Sequence, residues 1–281
     1  MPMYISIDFG NTNTRVASSL DLNSFNNIRK FRTSMNLEEQ KSFLNEAIKD
    51  VSNNLEVSFI GMGIHGMINK SSKKFVKMPN YSSLDGKKFT ELFDNKYDLS
   101  RIFVENDATV AGLAEAQNGA GKNYSVVTYL TISTGIGGAR IIDKKIDNSG
   151  CFEPGHHIIV KDGKLNTNSG IKGDFEVYAS GYFFEDNYGV DSEKCEDINL
   201  WEEYASYLAI GIHNVINMWS PDIVILGGGL GYNQFDNFYP HLMENLKKTE
   251  FVKIPPIVKS KFGDDAGLYG ALSLIKRSKS G

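Results

Sequence analysis

Asp8 ends the alternating run Tyr4-Ile5-Ser6-Ile7 and stands just before Gly10-Asn11-Thr12-Asn13. A turn made of Gly, Asn and Thr exposes backbone N–H groups and hydroxyls without bulky side chains, so a phosphate can approach it closely. A carboxylate beside such a turn can hold Mg²⁺ directly or through water. A second turn of this kind, Thr134-Gly135-Ile136-Gly137-Gly138, follows the apolar run 126–133. A third cluster, Gly227-Gly228-Gly229-Leu230-Gly231, follows Ile223-Val224-Ile225-Leu226, at the end of a strand where α/β sheets commonly bind ligands. An ordinary tight hairpin accounts for either of the first two turns alone. Two at corresponding positions point instead to phosphate binding. No Gly-Lys-Ser/Thr occurs anywhere, which excludes a P-loop NTPase at the level of motif.

Asp107 follows the apolar run Ile102-Phe103-Val104 and precedes Ala108, Val110, Ala111, Leu113 and Ala114, which begin a helix. At a strand-to-helix junction its carboxylate can serve as a base or merely cap the helix, and position alone does not choose. Glu153 and His156 lie in a Gly/Pro-bearing segment after the second hairpin. A carboxylate accepts and an imidazole donates or accepts, so the pair can hydrogen-bond vicinal hydroxyls; solvated loop side chains are the alternative. His157 beside His156 leaves the register open by one.

These residues must be positioned by regular elements. The pattern predicts a strand at 4–8, a turn and a return strand at 14–17, a helix over about 36–54 and a strand at 57–63 ending in glycines. The second half repeats the plan: a strand at 126–133, a return at 139–142, a helix over 198–219 and a strand from Ile223 into glycines. Two copies imply two α/β domains. The 281 residues agree with about two domains at roughly 150 residues each. Lys and Arg number 30 against 34 Asp and Glu, spread along the chain, which argues against a nucleic-acid binder. Apolar runs are too short to span a bilayer and no signal peptide is evident, so a cytoplasmic protein without membrane contact is expected. Cys151 and Cys195 form no Cys-x-x-Cys pair and read as free thiols.

An ordered set of motifs resembles the ROK family of sugar kinases and repressors: Asp8-Phe9-Gly10-Asn11-Thr12, Glu105-Asn106-Asp107-Ala108, Thr134-Gly135-Ile136-Gly137-Gly138, Glu153-Pro154-Gly155-His156, Glu176-Val177-Tyr178-Ala179-Ser180-Gly181 and Leu226-Gly227-Gly228-Gly229. The resemblance runs through Gly267-Leu268-Tyr269-Gly270-Ala271. It implies an α/β fold of two ribonuclease-H-like domains of the actin-like ATPase type, facing across a cleft. The expected division is residues 1–109, completed by a C-terminal helix 266–281, and residues 110–265 with a sugar-binding insertion at 150–190.

The implied activity is ATP-dependent phosphorylation of a hexose or an N-acyl amino-hexose. A non-catalytic sugar-binding protein or regulator without a DNA-binding domain is the alternative. By the resemblance, Asp107 takes the hydroxyl proton and Asn106 holds sugar, with Glu153, His156, Glu176 and Asn80 as further sugar contacts. Asp8 would bind Mg²⁺ with ATP, and Gly10, Asn11, Thr12, Thr134, Gly135, Gly137, Gly227, Gly228 and Gly229 would cradle its phosphates. Sugar held by both sets must bridge the two halves. A homodimer is implied as well. The family's structural zinc uses three cysteines, whose positions here hold Thr167, Ser169 and Asp174; neutral hydroxyls are poor replacements for thiolates, so no structural zinc is expected. Asn11, Ser133 and Ala139 also stand where the family prefers glycine.

Overall fold

The computed structural model describes residues 2–78, 81–149 and 152–278. The chain divides into two compact units, Met1–Ala114 with Asp265–Gly281, and Glu115–Asp264. In the first, strands β1 (Met3–Phe9), β2 (Asn13–Ser19), β3 (Asn27–Arg32), β4 (Val57–Ile64) and β7 (Ile102–Asn106) form one sheet in the order β3-β2-β1-β4-β7. β1, β2 and β3 are antiparallel neighbours, whereas β4 and β7 run parallel to β1. Strands β5 (Met67–Asn69) and β6 (Lys74–Lys77) make a separate small ribbon. In the second unit β8 (Val126–Ile132), β9 (Ile136–Ile142), β10 (Lys145–Ile146), β11 (Ile223–Gly227) and β12 (Ile257–Lys259) take the same plan, β10-β9-β8-β11-β12. The repeat inferred from sequence is thus a repeat of topology. In both sheets the glycine-rich turn joins the first two strands.

Helix α1 (Leu37–Val51) starts at Asn36, whose side chain accepts from the amides of Glu38 and Glu39, and buries Leu44, Ala47, Ile48 and Val51. It ends short of the expected residue 54 because Asn53 and Asn54 take left-handed φ of 52° and 59°. The return strand β9 starts at Ile136, three residues before the expected Ala139, because Gly137 and Gly138 pair with Thr131 and Leu130. A Cβ at Gly138 would lie 2.7 Å from Pro154 Cγ, so a bare backbone there lets the following loop pack down.

Helix α2 (Asp107–Asn118) crosses the unit boundary, which falls five residues beyond the expected 109. Glu115 explains its second part: fully buried, it accepts from Ser260 Oγ at 2.6 Å and the Phe262 amide at 2.9 Å on Oε1, and from the Ala120 amide at 2.8 Å on Oε2. Helix α5 (Ile198–Trp219) spans the predicted range, capped by Asp197, and buries Tyr204, Leu208 and Ile212. α3 (Phe175–Ala179), α4 (Gly181–Tyr188), α6 (Gly229–Asn233) and α7 (Phe235–Lys248) complete the second unit. No helix among the described residues is long and apolar enough to cross a membrane.

The C-terminal helix α8 (Ala266–Ser278) packs on β1 and β4 of the first unit. Ser6 Oγ donates to the Leu268 carbonyl at 2.6 Å. A Cβ at Gly61 of β4 would lie 2.0 Å from the Ala271 carbonyl oxygen, so helix and strand meet at backbone distance. Gly61→Ala is therefore expected to lower stability by about 2–3 kcal/mol, the cost of overpacking a tight interface. Urea unfolding reads it, and an unchanged midpoint would show that α8 yields without cost.

Candidate functional site

The hairpin joining β1 to β2 sets the register that builds the first half of the site. Phe9 faces Thr14 and Asp8 faces Arg15. The Gly10 amide donates to the Asn13 carbonyl at 3.2 Å, Thr33 Oγ1 donates to the Gly10 carbonyl at 2.8 Å, and the Thr33 amide donates to the Thr12 carbonyl at 3.1 Å. Tyr81 Oη donates to the Asn11 carbonyl. These bonds hold the turn from outside. Arg15 lies beside Asp8, Nε to Oδ2 at 3.5 Å, and donates to Asp265 Oδ1 at 3.0 Å. Burial is the largest influence on Asp8 and pushes its pKa from 3.8 to about 6; the Arg15 guanidinium opposes this, while the charges of Asp107 and Asp265 add to it.

Asp107 opens α2 at the carboxyl end of β7. The cap of that helix comes from its neighbour: Asn106 Oδ1 accepts from the Thr109 amide at 3.1 Å and from Thr109 Oγ1 at 3.3 Å. Asp107 Oδ1 accepts from the Ala108 amide at 2.8 Å, and Oδ2 lies 3.3 Å from His65 Nδ1. Half of the carboxylate therefore faces away from the helix backbone, as a base requires. The Asn106 amide nitrogen donates to the Gly66 carbonyl at 3.4 Å, so its oxygen is engaged in capping and its nitrogen in a long bond. Asn80 lies outside the described residues.

In the second unit the predicted phosphate loops converge. The turn after β8 is closed by Ser133 N donating to the Gly135 carbonyl at 2.9 Å, and the Thr134 carbonyl accepts from the Tyr182 amide at 3.3 Å. Gly228 has φ +80°, and a Cβ there would lie 2.6 Å from both the Ile132 carbonyl and Thr131 Oγ1. The Gly227–Gly229 corner is thus set directly against the end of β8. Gly137 lies one step inside the strand ladder, opposite Thr131. Glu176, in the first turn of α3, accepts from the Ile136 amide at 2.8 Å, and a Cβ at Gly135 would lie 2.5 Å from its Oε2. A glutamate predicted to touch sugar also braces the hairpin predicted to touch phosphate.

Glu153 and His156 flank a short turn over Pro154–His156. The two histidines have different surroundings. His156 Nδ1 pairs with Asp174 Oδ2 at 3.1 Å, and this bond is the largest cause that raises the His156 pKa. His157 turns inward, its Nδ1 bonded to the Pro154 carbonyl and its ring 5.3 Å from Phe175, and burial lowers its pKa. The donor set at the family's zinc position does not fit zinc. Asp174 is fully buried and accepts from the Val177 amide at 3.0 Å, Asn166 Nδ2 at 2.9 Å and Ser169 Oγ at 3.2 Å, so its oxygens are engaged by hydrogen bonds. Thr167 and Ser169 offer only neutral hydroxyls.

Three residues of these clusters were missed in the sequence. Arg15 had a signal: counting outward from the turn places it opposite Asp8. His65 had none, because it meets Asp107 only through the parallel pairing of Ile64 with Asn106. Asn166 sits in an irregular loop whose contacts follow from its fold.

The ROK family model matches residues 4–278. N-acetyl-D-glucosamine kinase of Haemophilus influenzae is 29% identical over 260 residues, spanning 78% of this chain and 81% of that protein. Glucokinase of Thermotoga maritima is 26% identical over 272 residues, covering 84% of each. Among solved structures, a ROK family glucokinase from Streptomyces griseus, in complex with glucose and AMPPNP, superposes with a TM-score of 0.82 at 22% identity over 98% of this chain and 99% of that one. The two five-stranded sheets are those of this fold.

The raised pKa of Asp8 has a consequence for stability. The folded chain holds this proton more tightly than the unfolded chain does, so the contribution of Asp8 is greatest below pH 3.8 and is lost as pH rises through about 6. Asp8→Asn removes the ionisation cost. In metal-free, nucleotide-free buffer its stabilisation is expected to be larger near pH 8 than near pH 5 by about 1 kcal/mol. Thermal unfolding at the two pH values checks this, and an equal gain at both would contradict it.

Proposed function

Because the chain belongs to the ROK family, we propose that it transfers the γ-phosphoryl group of ATP to a hydroxyl of a hexose or an N-acyl amino-hexose. The observation that carries this reading is the division of labour at the start of α2, where Asn106 caps the helix and leaves Asp107 Oδ2 off the backbone. The relatives named N-acetyl-D-glucosamine kinase and glucokinase supply the substrate class.

In this reading the acceptor hydroxyl gives its proton to Asp107 as its oxygen attacks the γ-phosphorus, and the bond from that phosphorus to the departing ADP oxygen breaks. Glu176, Glu153 and His156 hold the remaining hydroxyls, and Asn106 and Asn80 are further sugar contacts. Thr12, Thr134, Gly135, Gly228 and Gly229 line the phosphate path, and backbone N–H groups of their turns would stabilise the charge. Bound Mg²⁺ would neutralise the triphosphate, and Asp8 is the carboxylate that would hold it, directly or through water. Arg15 restrains Asp8 and keeps positive charge at the same strand end. The Asp174 cluster takes the place of the family's zinc, so the folded chain needs no structural metal.

A coupled ADP-release assay across hexoses and N-acetyl-hexosamines tests the reading. Asp107→Asn is expected to lower kcat by about 10²–10⁴ while calorimetry shows sugar binding retained; near-normal turnover would remove Asp107 as base. Asp8→Ala is expected to raise the Mg·ATP concentration needed for half-maximal rate, and an unchanged dependence would refute its role. Elemental analysis should find no stoichiometric zinc; one zinc per chain would overturn the replacement of metal by hydrogen bonds.

A further inference from the structure

Asn166 uses every hydrogen-bonding position of its side chain, with no exposed surface. Its Oδ1 accepts from the amides of Asn168 at 3.0 Å and Ser169 at 3.2 Å. Its Nδ2 donates to Asp174 Oδ2 at 2.9 Å and to Glu176 Oε1 at 3.1 Å. Two N–H groups on one side and two carboxylates on the other permit a single orientation of the amide. Backbone bonds lock the residue as well: its N–H donates to the Ile171 carbonyl and its carbonyl accepts from the Gly170 amide, both at 2.8 Å.

The same nitrogen therefore reaches Glu176, itself a candidate sugar contact, and Asp174, which pairs with another, His156. Glu176 is held at Oε1 by Asn166 and at Oε2 by the Ile136 amide. Asp174, held by Asn166, Ser169 and the Val177 amide, in turn pairs with His156 Nδ1. His156 is thereby fixed with Nδ1 toward Asp174, which leaves Nε2 to meet a ligand. A carboxyl at position 166 would offer no donor and would set three carboxylates against one another in a buried site. Asparagine is the side chain of that length that accepts at one end and donates twice at the other.

We infer that Asn166 is a positioning residue for sugar recognition, one amide group orienting Glu176 directly and His156 through Asp174. This rests on the reading above that Glu176 and His156 hold sugar. Asn166 acts on the directions of those groups, and hydrogen bonds to hydroxyls are lost when the angle is lost. Proton transfer at Asp107 does not pass through it.

The test is sugar affinity by calorimetry together with steady-state kinetics on the full chain. Asn166→Asp is expected to raise the sugar Kd and KM at least tenfold, with kcat and the KM for ATP changed less. Combined with Glu176→Ala, its effect should be smaller than in the wild-type background, because only the arm through Asp174 to His156 is then left for it to act on. If Asn166→Asp does not accumulate folded, Asn166→Ser replaces it: the hydroxyl still accepts from the turn amides but cannot span to both carboxylates. A purely structural residue would lower the melting temperature and the active fraction while leaving sugar Kd unchanged and the double mutant additive; either result overturns the inference. If the wild-type chain binds sugar but the variants bind it equally well, the inference alone fails. If no sugar of the panel binds the wild-type chain, the sugar-kinase reading falls and this inference with it.

Discussion

A carboxylate withdrawn from water must be met by cations or by N–H and O–H donors, or it gives up its charge. The functional architecture of this chain depends on how that requirement is met at several places. Asp8 is met among the described residues by the Arg15 guanidinium, which does not offset its burial, and its pKa rises. Glu115 is met by two amides and a hydroxyl. Asp174 is met by an amide, an asparagine, a serine and a histidine. The contrast between these environments carries chemical meaning. Asp8 is left short of compensation at the strand end where a cation and phosphates are proposed to bind, whereas Glu115 and Asp174 are saturated and serve as fixed points of the scaffold.

In the proposed reading, that second kind of saturation stands where the family's thiolates would be. A tetrahedral metal site joins separate loops through one centre. A buried carboxylate with donors on several sides joins them through one centre too, provided every partner is present, because a half-satisfied network costs more than an apolar one. Here the partners come from the turn at 166–170, from α3 and from the Pro154–His156 turn. Gly173 belongs to the same solution: its φ is +76°, and a Cβ would lie 1.8 Å from the Val160 carbonyl, so only glycine lets the chain enter Asp174 at that angle.

The sheets supply the frame. Each unit repeats three antiparallel strands continued by two parallel ones, and residues proposed to meet ligands lie at the carboxyl ends of the parallel strands. Asp8, Asp107 and Gly227 occupy such ends, as expected for open α/β sheets. Glycines at Gly61 and Gly138 allow a helix and a loop to approach the strands at backbone distance. Close packing of this kind leaves little freedom to the residues at the strand ends.

Much of this was legible in the chain itself. An alternating run marks β1, short apolar runs leading toward glycine-bearing turns mark β4, β8 and β11, and apolar spacing marks α1 and α5, because strands and helices bury their faces with periods set by backbone geometry. The ordered motifs carried the family and placed Asp8, Asp107, His156 and Glu176 as candidates. Other features were not legible, since they depend on which groups meet. Asn106 and Asp107 are adjacent and chemically similar as helix caps, and only the folded junction assigns the cap to Asn106. His156 and His157 are neighbours of one type, and only the buried Asp174 separates the ring that pairs from the ring that packs. Arg15, His65 and Asn166 acquire partners 7, 42 and 10 residues away or thereabouts, through hairpin register, parallel strand pairing and an irregular loop. Local periodicity determines which elements form; hydrogen-bond partnership among buried polar groups is a property of the assembled units, and the tertiary structure alone decides it.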